Sequence, residues 1–326
     1  MHLFDIENLS IDFSTRRGTV EAVRDISFCI NEEECVAVVG ESGCGKSVTA
    51  RSLIGLTEAT GGKVREGSKI LYKGENILDY SDKEWMNYRG SKTAMIFQDA
   101  MTSLNPTMKI GKQIAECYAF HRDVSKKEAM VKAVEMLRLV GIANPEDAVN
   151  RYPHEFSGGM RQRVMIASAL VCNPSLLIAD EPTTALDVTI QAQILDLIKE
   201  LKEKEKMSVL LISHNLGVVA GLAQRVIIMY GGQIMETGTT EEIFYEALHP
   251  YTKGLQKAAP RLDEMGTGKL FTINGMPPEL INPPIGCPFA ERCSYATEKC
   301  SLEKPDTVKI SETHSVACHL AAKEVE

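Results

Sequence analysis

The 326-residue sequence predicts an α/β protein: a core of mostly parallel sheet with an antiparallel β subdomain, a helical subdomain, and a small Cys-containing C-terminal extension. Three observations predict this. Residues 35–39, 176–179 and 209–212 are continuous apolar runs, the pattern of strands covered on both faces in a parallel sheet. A helical periodicity over residues 189–206 separates the last two runs, giving the strand, helix, strand order of such a core. The first run opens directly into a glycine-rich loop.

Taken in order, residues 9–13 and 22–28 alternate or cluster apolar side chains around the turn-prone Arg17-Gly18, so the chain should open with antiparallel strands. A helical middle section follows the glycine-rich loop. In it Ser125-Lys-Lys-Glu128 has capping-box spacing ahead of the apolar positions Val131, Val134, Leu137 and Leu139-Val140, and Gly141 ends the pattern. Ser81 with Glu84, and Thr239 with Glu242, repeat that start signal. The Lys and Glu run over residues 202–206 reads as a solvated helix face. After Pro250 the texture turns rich in Pro, Gly and Cys around Met276-Pro-Pro278 and Asn282-Pro-Pro284. The expected division is therefore residues 1–250, with the helical subdomain at about 99–172, and an extension over 251–326.

Composition sets outer limits. With 44% hydrophobic and 25% charged residues the chain has ordinary globular proportions, which excludes disorder, collagen-like repeats and a disulfide mini-scaffold. Lys and Arg number 36 against 44 Asp and Glu, a net charge of −8, so no nucleic-acid partner is expected. The longest apolar runs, residues 226–230 among them, are strand-length and fall well short of the roughly 20 residues that span a bilayer. Residues 1–10 carry Asp5 and Glu7 and lack a secretory pattern, so the expected location is cytoplasmic, where the nine cysteines stay mostly reduced.

Gly40-Glu-Ser-Gly-Cys-Gly-Lys-Ser47 matches the whole phosphate-binding loop pattern, in the right place between a buried run and the helical-looking residues 48–54. Glycines let the chain curl so that successive N–H groups face one guest, the helix start adds about half a positive charge, and Lys46 adds a full one. Polyphosphate is the natural guest. The Ser47 hydroxyl suits a Mg²⁺ beside the β and γ oxygens, and Ser42, Gly43, Cys44, Gly45, Lys46, Ser47 and Val48 are the expected loop contacts. Cys44 occupies a variable position, where a helix start could lower its thiol pKa, but a tolerated small side chain is the expected reading.

The second buried run ends at Asp180-Glu181, two adjacent carboxylates at the sheet edge where ligands sit in α/β folds. Neighbours on a strand point opposite ways, so Asp180 should face Mg²⁺ and Glu181 an attacking water. That pattern implies hydrolysis rather than binding alone.

Upstream of the acidic pair, Phe156-Ser-Gly-Gly-Met-Arg-Gln-Arg163 resembles the signature sequence of ATP-binding-cassette (ABC) ATPases. Other elements of that family follow in order: Gln98 in Met95-Ile-Phe-Gln-Asp99 resembles the Q-loop, Ala185-Leu-Asp187 the D-loop, and His214 in Ile212-Ser-His-Asn215 the switch histidine. The resemblance implies an ABC-type P-loop ATPase core in which Gln98 senses Mg²⁺ and His214 contacts the γ-phosphate and orients the water. It implies a head-to-tail dimer, with Ser157, Gly158 and Gly159 of one subunit closing over ATP on the loop of the other. It also implies Phe13 and Val23 as adenine contacts. Phe156 stands where Leu is usual and Met160 where Gln is usual, which bears on the fine geometry of the trans contact.

Residues 98–107, His249-Pro-Tyr-Thr-Lys-Gly-Leu255 and Gly286-Cys-Pro-Phe-Ala-Glu-Arg-Cys293 resemble the ATP-binding subunit of bacterial dipeptide/oligopeptide importers, some of which carry nickel, over essentially the whole chain. This implies a peripheral protein on the cytoplasmic face of the membrane. Its partners would be a second ABC ATPase subunit, identical or related, two transmembrane permease subunits and an extracellular peptide-binding protein. A soluble ABC protein acting on ribosomes or DNA is the alternative; it predicts two cassettes or a long coiled-coil insertion, and neither is in the sequence. A non-catalytic metal-binding regulator would lack Glu181 or His214, and both are present.

Cys287, Cys293, Cys300 and Cys318 form a C-x₅-C-x₆-C-x₁₇-C pattern, with His319 as a spare ligand. Four thiolates suffice for a [4Fe–4S] cluster or tetrahedral Zn²⁺. The tight C-x₂₋₄-C pairs usual for zinc are absent, and some members of the resembled family carry a cluster on such a tail, so [4Fe–4S] is the expected group, with zinc, or cysteines without ligand, as alternatives.

Overall fold

The structure is a computed structural model that describes residues 2–99, 103–184, 186–258 and 272–321. It forms two compact units: Met1–Asn31, Cys35–Asp79 and Leu211–Glu326 make one, and Glu32–Glu34 with Tyr80–Leu210 make the other.

The first unit opens as expected. Strands β1 (His2–Thr15) and β2 (Gly18–Asn31) pair antiparallel, with Phe4, Ile6, Leu9 and Ile11 buried. The chain then forms β3 (Cys35–Val39), whose five residues are all buried, and β4 (Gly62–Val64), β5 (Lys69–Tyr72) and β6 (Glu75–Asn76), which extend the antiparallel sheet from β1. In the second unit β7 (Thr93–Ile96) and β8 (Leu176–Asp180) pair in parallel. The fully buried β9 (Ser208–Ser213) carries the chain from the second unit into the first. There β10 (Arg225–Tyr230) pairs in parallel with β3, and β11 (Gln233–Thr239) folds back on β10. Gly231 and Gly232 make that reversal, with φ of 55° and 79°, a two-residue turn that needs positive φ at both positions.

The extension contains a short hairpin that the sequence reading does not foresee. β12 (Thr307–Lys309) pairs with β13 (Ser315–Ala317), and β13 continues onto β11. Three-residue strands are too short for alternation to register. A buried carboxylate fixes the region: Glu236 Oε1 accepts from Leu248 N at 2.7 Å and pairs with His314 Nε2 at 2.8 Å, and Oε2 accepts from His249 N at 3.1 Å.

Helical starts are where the start signals put them. Ser81, Ser125 and Thr239 each form a complete capping box, at the helices Asp82–Tyr88, Lys126–Leu139 and Thr240–Tyr245. The buried stripe of the middle helix keeps Leu137 and Val140 of the expected set but not Val131. Val131 points outward at 53% exposure, and Ala129, Ala133, Met136, Leu137 and Val140 are buried. The first turns bury Ala129 and Ala133 in place of Val131, on the same helical period that carries Leu137 and Val140.

Candidate functional site

The glycine-rich loop takes the conformation its residues require. Gly43 and Gly45 adopt φ of 79° and 101°, where a side chain is strained. At Gly40 a Cβ would stand 2.1 Å from the Met229 carbonyl oxygen, and at Gly45 2.4 Å from that of Ala22. Only glycine allows these approaches. Lys46 is buried, with Nζ donating to the carbonyl oxygens of Gly40 at 2.7 Å and Glu41 at 2.9 Å, so its ammonium is tethered within the loop. Ser42 and Gly43 are exposed, and Ser47 and Val48 half-buried in the first helical turn. Cys44 behaves as the tolerated small side chain: burial pushes its thiol pKa up, outweighing the Lys46 charge. Val23 is buried with a methyl 3.5 Å from the Gly45 Cβ position, whereas the Phe13 ring lies over Gly62.

In the second unit Asp180 closes β8 and is buried. Glu181 leaves the strand with φ of 48°, so the two carboxylates diverge through a left-handed residue rather than by strand alternation. Its Oε2 accepts from Gln98 Nε2 at 3.2 Å and from Thr184 Oγ1 at 2.9 Å. The structure thus brings Gln98 and Glu181 together, and Thr184 joins them without having been singled out.

Ser157 caps the helix Gly158–Leu170, its Oγ accepting from Met160 N at 3.4 Å. Ser157 and Gly158 are exposed, and Phe156 is buried, filling the apolar role its usual Leu would have. A Cβ on Gly159 would stand 2.8 Å from Ile190 Cγ2, so this glycine permits close approach to the helix Val188–Glu205. Asp187 caps that helix, accepting from Ile190 N at 3.0 Å; Ala185 lies outside the described residues, as do residues 100–102 of the Q-loop segment.

His214 follows β9 directly and is exposed, between Ser213, whose hydroxyl accepts from Asn215 N at 3.0 Å, and Asn215, whose side chain caps the next helix.

Cys287, Cys293, Cys300 and Cys318 all line one cavity of about 410 Å³, together with His249 and His319. Burial, reinforced by the other three cysteines, pushes the Cys287 thiol up to about 11. Burial pushes the His249 pKa down to about 3, so the ring is neutral. Its Nδ1 accepts from Tyr251 N at 3.1 Å, which leaves the proton on Nε2, and that buried atom has no partner among the described residues. Among the described residues no group of three or more His, Cys, Asp or Glu is arranged to hold a metal ion, so the expectation of a metal group has no direct support from side-chain placement.

Three residues without a sequence-derived role meet at the loop. Glu41 N donates to Tyr251 Oη at 2.8 Å, and the Glu41 carboxylate pairs with Arg292 at 2.6 and 3.1 Å. Each lies in a segment the sequence singles out, 40–47, 249–255 and 286–293, but none of those segments marks the contact between them.

Comparison with known proteins places these features in context. A family model described as "ABC transporter" matches residues 23–184, and one described as "Oligopeptide/dipeptide transporter, C-terminal region" matches residues 235–300. The chain is 53% identical to the oligopeptide transport ATP-binding protein OppD of Bacillus subtilis, over 96% of this chain and 87% of that one. It is 50% identical to the dipeptide transport ATP-binding protein DppD of the same organism, over 99% and 96%. Among solved structures it resembles the dimeric post-hydrolysis state of the ATP-binding cassette MJ0796 bound to ADP and Pi, with 26% identity and a TM-score of 0.65 over 73% of this chain and 98% of that one.

Proposed function

This chain belongs to the oligopeptide/dipeptide transporter ATP-binding proteins of the ABC family, and from that premise we infer that it is the ATP-hydrolysing subunit of a peptide importer. The observation that carries the reading is the loop 40–47, where glycine-only approaches and a tethered Lys46 form a phosphate cradle on a chain that aligns almost end to end with peptide-transport relatives.

The proposed roles follow. Loop residues Ser42 to Val48 bind the triphosphate, with Phe13 and Val23 toward adenine. Ser47, Gln98 and Asp180 offer the hard oxygen donors that suit Mg²⁺, which would neutralise charge on the phosphates. Glu181 accepts a proton from the attacking water as the bond from the γ-phosphorus to the ADP oxygen breaks, and His214 steadies the γ-phosphate. Ser157, Gly158 and Gly159 serve the ATP of a partner ATPase, identical or related.

No helix among the described residues is long and apolar enough to cross a membrane. From the likeness to peptide-transport ATP-binding proteins, the proposed assembly includes two transmembrane permease subunits, with this chain peripheral on the cytoplasmic face, and an extracellular peptide-binding protein. Residues 1–250 would form the ATPase and 251–326 its extension. The four thiols line one cavity beside the unpartnered His249 N–H, and a sulfur-ligated group there, [4Fe–4S] over Zn²⁺, is proposed; it would require the thiols to draw in from their present placement, which by itself does not form a metal site. Such a group would staple a short segment with little core of its own.

Vesicles holding the chain with its permeases test the reading: ATP-dependent uptake of labelled di- or oligopeptide is expected, and uptake of nickel without peptide would overturn it.

A further inference from the structure

Glu41 is where the phosphate loop meets the C-terminal extension, and every polar group it owns is engaged there. Its N–H donates to Tyr251 Oη at 2.8 Å, its carbonyl oxygen accepts from Lys46 Nζ at 2.9 Å, and its two carboxylate oxygens take Arg292 Nη1 at 2.6 Å and Nη2 at 3.1 Å. Two of these three partners come from beyond residue 250.

Those partners are themselves held. Tyr251 is fully buried, its ring centroid 4.6 Å from that of Tyr230 and 5.3 Å from that of Phe289. The Arg292 side chain is 6% exposed. Its Nε donates to Asn274 O at 2.8 Å, Nη2 to Ile273 O at 3.0 Å and Nη1 to Tyr230 Oη at 3.0 Å. Burial alone would lower its pKa, but the bonds to Glu41 and Tyr230 hold it above the ordinary value. A forked, buried, five-bonded arginine is a fixed strut, unlike a solvated surface pair that opens freely.

The loop has need of a strut. Ser42 and Gly43 are exposed, and nothing lies within 4 Å of where a Gly43 side chain would begin, so the loop tip has little packing of its own. A loop free to sample other conformations binds its ligand more weakly in proportion to the competent fraction.

We propose that Tyr251 and Arg292 are positioning residues for nucleotide binding: acting through Glu41, they hold the phosphate loop and Lys46 in the binding geometry. The extension is then a brace of the nucleotide site as well as an appendage. This rests on the loop's being the ATP site.

The test is MgATP affinity and steady-state hydrolysis of the full chain in Tyr251→Phe, Arg292→Gln, Glu41→Gln and the Glu41→Gln/Arg292→Gln double variant, with Lys46→Ala and the exposed Lys304→Ala as references. The brace predicts that Arg292→Gln and Glu41→Gln each weaken ATP about tenfold, with KM rising more than kcat falls, and that the double variant is no worse than either single one. Tyr251→Phe removes one oxygen, should melt like the parent, and decides the matter if Arg292→Gln does not fold. Lys304→Ala should bind as the parent does. Additive losses in the double variant, or parental ATP affinity in Tyr251→Phe and Arg292→Gln while Lys46→Ala loses binding, overturn the brace alone. A parent chain that binds no MgATP overturns the ATP reading as well.

Discussion

Gln98 Nε2 donates to Glu181 Oε2 at 3.2 Å, joining a residue after β7 to one after β8 across 83 positions of sequence. Thr184 holds the same oxygen at 2.9 Å, so the carboxylate is oriented from two sides while its backbone is kept in the left-handed region at φ 48°. A non-glycine residue there costs on the order of 1 kcal/mol, a cost the surrounding contacts must offset. Gln98→Ala should therefore lower ATP turnover about 10- to 100-fold, the scale of a lost positioning contact, while ATP still binds. Phosphate release against an ATP titration checks it; a parental rate would remove Gln98 from that role.

The loop should not tolerate a methyl group. Gly45→Ala combines φ of 101° with a Cβ 2.4 Å from the Ala22 carbonyl oxygen, so either the loop or β2 must move. A loss of about 2 kcal/mol or more of stability is expected, with weakened nucleotide binding. Thermal melts with and without MgATP measure both effects, and a variant that melts and binds like the parent would refute the strain.

Away from the site, Ser125→Ala should cost about 1 kcal/mol, because the Ser125 hydroxyl accepts from Glu128 N at 3.2 Å, a bond alanine cannot make, while the other half of the capping box, Glu128 Oε2 on Ser125 N at 2.8 Å, remains. The Ser125 hydroxyl and backbone N–H hold the Glu128 carboxyl below its usual pKa. The folded value is depressed, so this contribution is fully present above the unfolded carboxyl pKa and is lost as pH falls through the lower folded one. Urea midpoints of parent and variant should differ at pH 7, and the gap should narrow but not vanish under acid, because the bond from Glu128 N to the Ser125 hydroxyl does not titrate.

The cysteine cavity makes a separable prediction. Chain purified without oxygen should be brown and contain iron with acid-labile sulfide, and Cys300→Ala should lose both colour and sulfide. Stoichiometric zinc in a colourless sample would favour the other ligand, and neither metal would remove the proposal.

Local grammar explains what the sequence made legible. The loop 40–47, the buried runs that became β3, β8 and β9, and the three capping boxes each depend on residues within a few positions of one another. Long-range partners were hidden. Arg292 and Glu41 lie 251 positions apart, and nothing local to either marks the pair. Val131 lies outside the buried stripe because hydrophobicity marks the period of a helix better than which turn-by-turn positions are covered, and small Ala129 and Ala133 take the buried places there. The turn at Glu181 was invisible because a carboxylate carries no signal for positive φ.

The most direct measurement is magnesium-dependent phosphate release from ATP by the purified chain and its Glu181→Gln variant, with nucleotide binding followed in parallel. Release that drops at least about 100-fold in the variant, with ATP retained and a larger, two-copy particle accumulating, is the predicted result. Equal release from both proteins, with ATP bound by each, would contradict the assignment of Glu181 and of this chain as the motor.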